Sequence, residues 1–379
     1  MLPEFYKTHL KDKLTLAEYM LLKIMIILLQ SIKKVSLEAL ATALPIPIKF
    51  ESRKRKIQRF LSLPNLTIKA LLVEVIANYC QQLSNSTREN NAIVLTVAHG
   101  NGCWIAQRYQ LPLVTIFHDW FPDLPSLHKP CCDLLAKRLQ KLYQQSNLAL
   151  CVSEGMKNAL GSHSNSKALY PIPALLAKKI TKQHQVKNDQ QISSRLKVVY
   201  SGNLYEYRPI LAQLLEVTKS HPQIQVQVRG SRPNWPADFR SEMRDRQLWL
   251  DFAPREELND WSASADVFLV VMSFDPALRK RMETSFPSKL PEYAQFGKPI
   301  VIWGPEYCSA IRWGREGDRA ICVTDENPTI LVSALERLKD SPQQLEYYRQ
   351  QAKIASQTEF NPSIIQNQFL DHIQDILLK

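Results

Sequence analysis

A lysine and a glutamate stand one helical turn apart, at Lys289 and Glu292, where the sequence changes from loop-like to helix-like. Ser288 precedes them, and Gly297 comes shortly before an apolar run at 300–303. The free backbone N–H groups of a helix start, with a lysine beside them, suit a diphosphate. A carboxylate one turn later can accept two hydrogen bonds from a vicinal diol such as ribose. The alternative is an ordinary helix start with a serine cap.

Short apolar runs alternate with polar, helix-like stretches from residue 196 onward. The runs cover residues 196–200, 224–228, 248–250, 266–271, 300–303 and 320–323. Strands that alternate with helices of this length predict a parallel sheet covered on both faces. Ligands of such sheets bind beyond the carboxyl ends of the strands. Residues at those ends predict a nucleotide site: Ser201, Gly202, Arg229, Pro254 and Ser288.

Residues 196 to about 355 resemble the donor-binding domain of retaining GT-B glycosyltransferases, of the type called glycosyltransferase family 4. The resemblance rests on segments that occur in the same order, at 200–204, 252–258, 265–267, 285–290, 292–294 and 297–299. It implies that Ser288 and Lys289 contact the diphosphate of a nucleotide sugar, while Glu292 holds the ribose hydroxyls. Backbone near Pro254 would contact the base.

The same resemblance implies that the loop after the first of these strands, with Ser201, Gly202 and Asn203, lies beside the donor diphosphate. Arg229 would add positive charge there, unless it is an ordinary surface residue. Many members of the family carry two glutamates eight positions apart. In this chain Thr284 occupies the position of the first glutamate, and Glu283 lies one place before it. The variant of the family that carries Phe-Pro-Ser-Lys commonly lacks this first glutamate.

Residues 91–180 resemble part of the acceptor-side domain of the same enzymes. Strands are predicted at 92–98, 111–117 and 148–152, and His118 and Asp119 follow the second of them. A His-Asp pair at this edge can bind the acceptor hydroxyl or help to move its proton, because imidazole titrates near neutral pH. We therefore predict that His118 and Asp119 are catalytic. The alternative for His118 is a structural histidine held by a backbone carbonyl.

The first ninety residues have a different character. They hold 14 Lys and Arg against 7 Asp and Glu, and so carry more than half of the net charge of +12. Helices are predicted at 14–32, 36–43 and 68–83, and a basic run lies at 53–59. The segment resembles the N-terminal part of DDE-type insertion-sequence transposases, which implies a gene fusion and weak DNA binding by residues 1–90. The alternative for the basic run is a solvated helix face.

The first glycine of the chain is Gly100. The acceptor domain of a GT-B enzyme opens with a strand and a glycine-rich loop, and so tight a loop needs glycine. The acceptor-side domain is therefore expected to be truncated, which could abolish sugar transfer.

Composition narrows the class of protein further. The apolar stretch at 14–29 is interrupted by Glu18 and Lys23 and lacks a cleavage motif, so neither a secretory signal nor a transmembrane segment is predicted. Seven cysteines without CxxC or metal-ligand spacing indicate a reducing compartment and no metal site. A cytoplasmic location is expected, and attachment to the inner face of the membrane is the alternative.

Together these patterns predict an α/β, GT-B-like chain. Its parts are a basic helical segment at 1–90, a truncated Rossmann-type domain at 91–180, a donor-binding Rossmann-type domain at 195–355, and a helix at 360–379 that returns to the first domain. The expected activity is transfer of a hexose from a UDP- or GDP-sugar to an unidentified hydroxyl acceptor, without a cofactor. Two alternatives are an inactive remnant that binds nucleotide and a DNA-binding protein that uses its first ninety residues.

Overall fold

The structure is a computed structural model that describes residues 10–11, 13–32, 36–63, 93–97, 100–123, 129–173, 195–202, 204, 207–231 and 233–378. The helix predicted at 68–83 and the predicted donor-site residue Asn203 lie outside these ranges. Within them, no helix is both long enough and apolar enough to cross a membrane. The chain divides into two compact units, residues 1–94 with 99–112 and residues 95–98 with 113–379.

The first unit contains helices α1 (Leu16–Ile32), α2 (Leu37–Ala43), α3 (Phe50–Leu61) and α4 (Gly100–Tyr109). The helices predicted at 14–32 and 36–43 are confirmed, and the Ser36 hydroxyl caps α2 by accepting the Ala39 N–H. The basic run at 53–59 lies inside α3. Apolar side chains of the first three helices and the α2–α3 connection form a small core of Leu21, Met25, Leu40, Ala41, Leu44, Ile57 and Phe60.

A four-stranded sheet follows, in the order β1 (Val94–Thr96), β2 (Leu113–Phe117), β3 (Leu148–Cys151), β4 (Ser166–Ala168). Strand β2 pairs with β3 in parallel, and β3 pairs with β4 in parallel. Helices α5 (Lys129–Gln145) and α6 (Glu154–Leu160) connect them. The Ser153 hydroxyl caps α6 through the Met156 N–H, as predicted. Strand β4 was not predicted, because its Ser-Lys-Ala sequence lacks an apolar pattern.

The second sheet has six strands: β5 (Leu196–Ser201), β6 (Ile224–Arg229), β7 (Trp249–Leu250), β8 (Val267–Val271), β9 (Ile300–Trp303) and β10 (Ile321–Val323). All five strand pairs are parallel, in the spatial order β10-β9-β8-β5-β6-β7. The chain therefore builds the sheet outward in both directions from the pair β5–β8. A reversal of this kind leaves a crevice at the carboxyl ends of the central strands, where ligands of such sheets bind.

Helices alternate with the strands of the second sheet, as the sequence pattern predicted, and further helices follow its last strand. They are α7 (Arg208–Thr218), α8 (Ala237–Asp245), α9 (Arg255–Ala263), α10 (Arg279–Thr284), α11 (Lys289–Ala294), α12 (Ser309–Arg315), α13 (Pro328–Lys339), α14 (Pro342–Gln357) and α15 (Pro362–Leu377). The Asn361 side chain caps α15, with Pro362 at its first position, as predicted. The α/β fold class is confirmed.

Helix α6 of the first sheet packs against α10 of the second. The Ser153 hydroxyl, which already caps α6, donates a hydrogen bond to the carbonyl oxygen of Thr284 at 2.5 Å. Gly155 comes so close to the Glu283 carbonyl that a Cβ atom at this position would overlap it. The guanidinium of Arg312 donates to the same carbonyl. The two helices can therefore pack this closely only because Gly155 has no side chain.

We expect Gly155→Ala to lower the free energy of unfolding by about 1–3 kcal/mol, because the added methyl group must displace backbone of α10. Chemical denaturation of the full chain measures this. Asn158→Ala, on the exposed side of the same helix, is the matched control and should change stability little. Equal stabilities of the two variants would show that α6 and α10 do not pack this closely.

Candidate functional site

A cavity of about 200 Å³ lies at the carboxyl edge of the second sheet. Two helical segments line it with the same spacing of i, i+3, i+4 and i+7, which places four side chains on one face. The first face, on α9, consists of Arg255, Leu258, Asn259 and Ser262; the second, on α11 and the turn after it, consists of Lys289, Glu292, Tyr293 and Phe296. Ser201, Phe252 and Ala253 complete the lining.

The buried hydroxyl of Tyr293 joins α11 to the end of β5. It accepts the Ser201 N–H at 2.9 Å and lies 3.2 Å from both the carbonyl oxygen and the hydroxyl of Ser201. Burial raises the pKa of Tyr293 to about 12, so the phenol is protonated at neutral pH and can donate. The ring stacks on Phe268 of β8, with centroids 4.3 Å apart.

Lys289 and Glu292 form an ion pair inside the cavity lining, with Nζ and Oε2 2.6 Å apart. Both side chains are about one-third exposed, so a ligand can reach them and compete with the pair. Ser288, just before α11, has helical backbone angles (φ −59°, ψ −16°), and its side chain makes no capping hydrogen bond. The serine cap of the ordinary helix start is therefore not formed.

The structure brings together three residues that the sequence predicted at this site: Ser201, Lys289 and Glu292 all line the cavity. Gly202, Pro254 and Ser288 are chain neighbours of lining residues. Arg229 is not among the lining residues. Its guanidinium pairs with Glu257 at 2.7 Å and lies over the Trp261 ring, at 5.3 Å from the centroid.

Gly202 continues β5 toward the cavity, and its N–H donates to the Arg229 carbonyl at 3.1 Å. Gly230 lies directly beneath it, because a Cβ atom there would overlap the Gly202 carbonyl oxygen. The backbone of Arg229 and Gly230 thus supports the predicted phosphate loop, while the side chain of Arg229 is turned to another partner.

Thr284 and Glu283 are both engaged away from the cavity. Thr284 is fully buried, and its hydroxyl donates to the Lys280 carbonyl. Glu283 pairs with Arg279 at 2.9 Å and Lys280 at 3.5 Å. Burial raises the pKa of Glu283, but these cations outweigh that effect and leave the pKa below its usual value. Neither residue therefore replaces the first glutamate of the family pattern within the cavity.

His118 and Asp119 follow β2, where the sequence placed them. Their side chains are half exposed, and His118 Nε2 lies 3.6 Å from Asp119 Oδ2. The Ser285 hydroxyl lies 3.4 Å from Asp119 Oδ1, which connects this pair to the segment that leads into α11. The ring of Trp120 lies under the ammonium group of Lys280 at 5.6 Å.

Sequence reasoning missed the α9 face and the aromatic side chain beside it. Phe252 is 80% exposed at the cavity. Among the described residues, the Asn259 amide and the Arg255 guanidinium have no hydrogen-bonding or ion-pair partner. The i, i+3, i+4, i+7 pattern at 255–262 was the signal that could have identified this face. In the same described part of the chain, no group of three His, Cys, Asp or Glu residues could hold a metal ion.

No protein-family model matches the sequence, and no curated protein matches it. Solved structures do resemble the fold. The Anabaena protein HepE in complex with UDP aligns with a TM-score of 0.59 and 16% identity over 86% of this chain and 89% of its own. HepE was also solved with UDP-glucose.

A glycosyltransferase from Rickettsia africae aligns with a TM-score of 0.58 and 12% identity, over 86% of this chain and 88% of its own. Sucrose-phosphate synthase from Thermosynechococcus elongatus aligns with a TM-score of 0.55 and 12% identity, over 81% of this chain and 79% of its own. The chain therefore has the GT-B fold. These alignments span 79–89% of each neighbour. They give no support to the expected truncation, and they give none to the transposase-like segment.

Replacing Tyr293 by Phe should lower the free energy of unfolding by about 1–3 kcal/mol, because the buried Ser201 N–H loses its acceptor. Denaturant titration tests this. Tyr347→Phe removes a hydroxyl from a 43% exposed ring and should have almost no effect. If both variants unfolded like the parent protein, the Tyr293 hydroxyl would not hold the end of β5.

Proposed function

We propose that this protein transfers a hexose from a nucleoside diphosphate sugar to an acceptor hydroxyl, with retention of anomeric configuration. The observation that carries the proposal is the meeting of Ser201, Lys289 and Glu292 in one cavity at the carboxyl edge of a GT-B fold. UDP and UDP-glucose in the neighbouring HepE structures support a nucleotide-sugar donor.

In this proposal Glu292 accepts hydrogen bonds from the ribose diol, and Lys289 meets the diphosphate together with the backbone of Gly202. The ammonium group of Lys289 now lies 2.6 Å from Glu292, so donor binding must separate or share this pair. The positive charge of Lys289 would then offset the negative charge that develops on the leaving diphosphate. Electrostatic stabilisation of this kind is commonly the largest contribution to catalysis.

His118 and Asp119 would serve the acceptor. Asp119 lies within reach of the imidazole and of Ser285, so it can orient His118 while the second ring nitrogen faces the hydroxyl. In that position His118 would touch the reacting group and accept its proton. The inactive remnant remains the alternative, since the same cavity could bind a nucleotide without turnover.

The binding test separates phosphate from ribose. Lys289→Ala should weaken UDP by about 1.5–3 kcal/mol and uridine much less, because an ammonium meets phosphate only. Glu292→Ala should weaken both ligands. Calorimetric titration with UDP, GDP and uridine measures this, with Lys353→Ala, an exposed lysine on α14, as the control. Equal losses for both uridine ligands in Lys289→Ala would contradict the role of Lys289.

A sugar-transfer assay distinguishes an active enzyme from an inactive remnant that only binds nucleotide. The full chain is incubated with UDP-glucose or GDP-mannose and candidate acceptors, and the anomeric configuration of the product is read by NMR. His118→Ala should then lower kcat by ~100-fold or more, as expected for loss of a general base, and leave the dissociation constant of UDP unchanged. Nucleotide binding without any transfer would favour the remnant.

A second candidate function rests on α3. Its residues Ser52, Arg55, Lys56 and Arg59 share one face and, with Ile48, line a basin of about 370 Å³. The opposite face carries the buried Ile57 and Phe60. Among the described residues, these three cations have no ion-pair partner. Three clustered cations on one helix face suit the phosphates of DNA.

If α3 binds DNA, the combined variant Arg55→Ala, Lys56→Ala, Arg59→Ala should make the slope of log K against log salt shallower by about 2–3. Fluorescence anisotropy with duplex DNA at several salt concentrations gives the slope. Lys137, Arg138 and Lys141 have the same spacing on α5 and are exposed, so their combined alanine variant is the matched control. Binding to anionic vesicles but not to DNA would reassign the face to a membrane surface.

A further inference from the structure

Helix α10 carries a basic surface beside His118 and Asp119 that the proposed mechanism does not use. The helix, Arg279–Thr284, holds three cations and one carboxylate. The ammonium group of Lys280 lies 5.6 Å from the centroid of the Trp120 ring, and Trp120 directly follows Asp119 in the chain. This cation is therefore next to the place where the acceptor hydroxyl is expected.

Arg279 and Lys280 are held by neighbouring side chains and still reach solvent. Both pair with the carboxylate of Glu283, at 2.9 and 3.5 Å, and their side chains are 62% and 40% exposed. The Arg279 guanidinium also lies over the Tyr307 ring, at 4.6 Å from the centroid, which suits a cation. Because one carboxylate balances only one of the two cations, a positive charge is left for a ligand.

We propose that Arg279 and Lys280 bind a phosphate group of the acceptor, so that the sugar is transferred to a hydroxyl of a phosphate-bearing molecule. This inference rests on the proposed function, because it assigns the substrate that His118 and Asp119 would meet. The phosphate would lie on α10 while the hydroxyl of the same molecule lies at the imidazole. Both cations would thus bind the acceptor away from the reacting atoms.

The two cations suit a phosphate better than a carboxylate. A phosphate monoester carries about 1.5–2 negative charges at neutral pH and offers three acceptor oxygens, which is enough for both cations. The planar guanidinium of Arg279 can donate two parallel hydrogen bonds to it, and the Lys280 ammonium adds a point charge. A carboxylate would bring only the single charge that Glu283 already supplies.

The state of Glu283 shows that an anion is favoured at this place. Burial raises the pKa of its carboxyl group, yet Arg279 and Lys280 outweigh that effect and leave the pKa below its usual value. The nearby Asp275 is already engaged, because its carboxylate accepts the Ala277 N–H at 2.9 Å. A phosphate would therefore share the two cations with Glu283 alone among the carboxylates that pair with them in the described part of the chain.

Inorganic phosphate tests this site when it is titrated into the full chain saturated with UDP, because UDP then occupies the donor cavity. The combined variant Arg279→Gln, Lys280→Gln should weaken phosphate by about 5- to 30-fold, as expected for two partly exposed ion pairs, and leave UDP unchanged. Arg279→Lys with Lys280→Arg keeps both charges and should still bind phosphate. Lys137→Gln, Arg138→Gln removes two adjacent, exposed cations of α5 and is the matched control.

Acetate measures the preference between the two kinds of anion. The parent chain should bind it about 10-fold less tightly than phosphate, since it brings one charge in place of nearly two. If UDP did not bind the parent chain, the proposed function and this inference would both fail. If UDP bound but acetate matched phosphate, or if the control variant lost as much phosphate affinity as the Arg279 and Lys280 variant, this inference alone would be overturned.

Transfer assays identify the source of the phosphate group. Glucose 6-phosphate represents a soluble acceptor, polyprenyl-diphosphate glucose in vesicles a lipid-linked one, and glucose an acceptor without phosphate. For the phosphate-bearing acceptor, Arg279→Gln, Lys280→Gln should raise KM by about 5- to 30-fold and leave kcat unchanged, because neither cation touches the reacting hydroxyl. Transfer to glucose as efficient as transfer to its phosphate-bearing counterparts would contradict the proposal.

Discussion

The candidate site depends on one buried phenol. Tyr293 is the point where a helix that carries the charged pair and the strand that leads to the predicted phosphate loop are held together. Without it, Lys289 and Glu292 would still share a helix face, but nothing in the described contacts would join their helix to Ser201. Because a buried N–H without a partner is costly, this bond constrains both elements at once. The distance between the Lys289 ammonium group and the loop after β5 therefore depends on this hydrogen bond.

A second contact sets the position of α9, which forms the other side of the cavity. Lys298 follows the turn at Gly297 and donates to the carbonyl oxygens of Ala263 and Ala265 at 3.0 and 2.5 Å. These carbonyls lie at the end of α9, so the lysine joins α9 to the segment that leaves α11. Burial lowers the pKa of Lys298, yet the two carbonyls accept its hydrogens. Both walls of the cavity are thereby connected to the same short stretch of chain.

The sequence predicted those parts of the fold that depend on local pattern. The runs at 196–200 and 300–303 became β5 and β9, because buried parallel strands are continuous apolar stretches. Lys289 and Glu292 were found because they are one turn apart. Arg229 could not be placed from sequence, since its partner Glu257 is 28 residues away and only the fold brings them together. The position of Phe252 at the cavity was missed because an exposed phenylalanine can be assigned to a cavity only once the fold is known.

The segment from Thr284 to Lys289 links the two candidate chemical groups of the molecule. At its start, the Thr284 carbonyl accepts the Ser153 hydroxyl, and Ser285 reaches Asp119. In its middle, the buried Phe286 packs against the rings of Tyr170, Trp313 and Phe360. At its end, Lys289 lines the cavity. Since the segment is only six residues long, a shift of the aromatic cluster would move the ammonium group of Lys289 relative to His118 and Asp119. The position of Lys289 relative to His118 and Asp119 is therefore set in part by the apolar packing of Phe286.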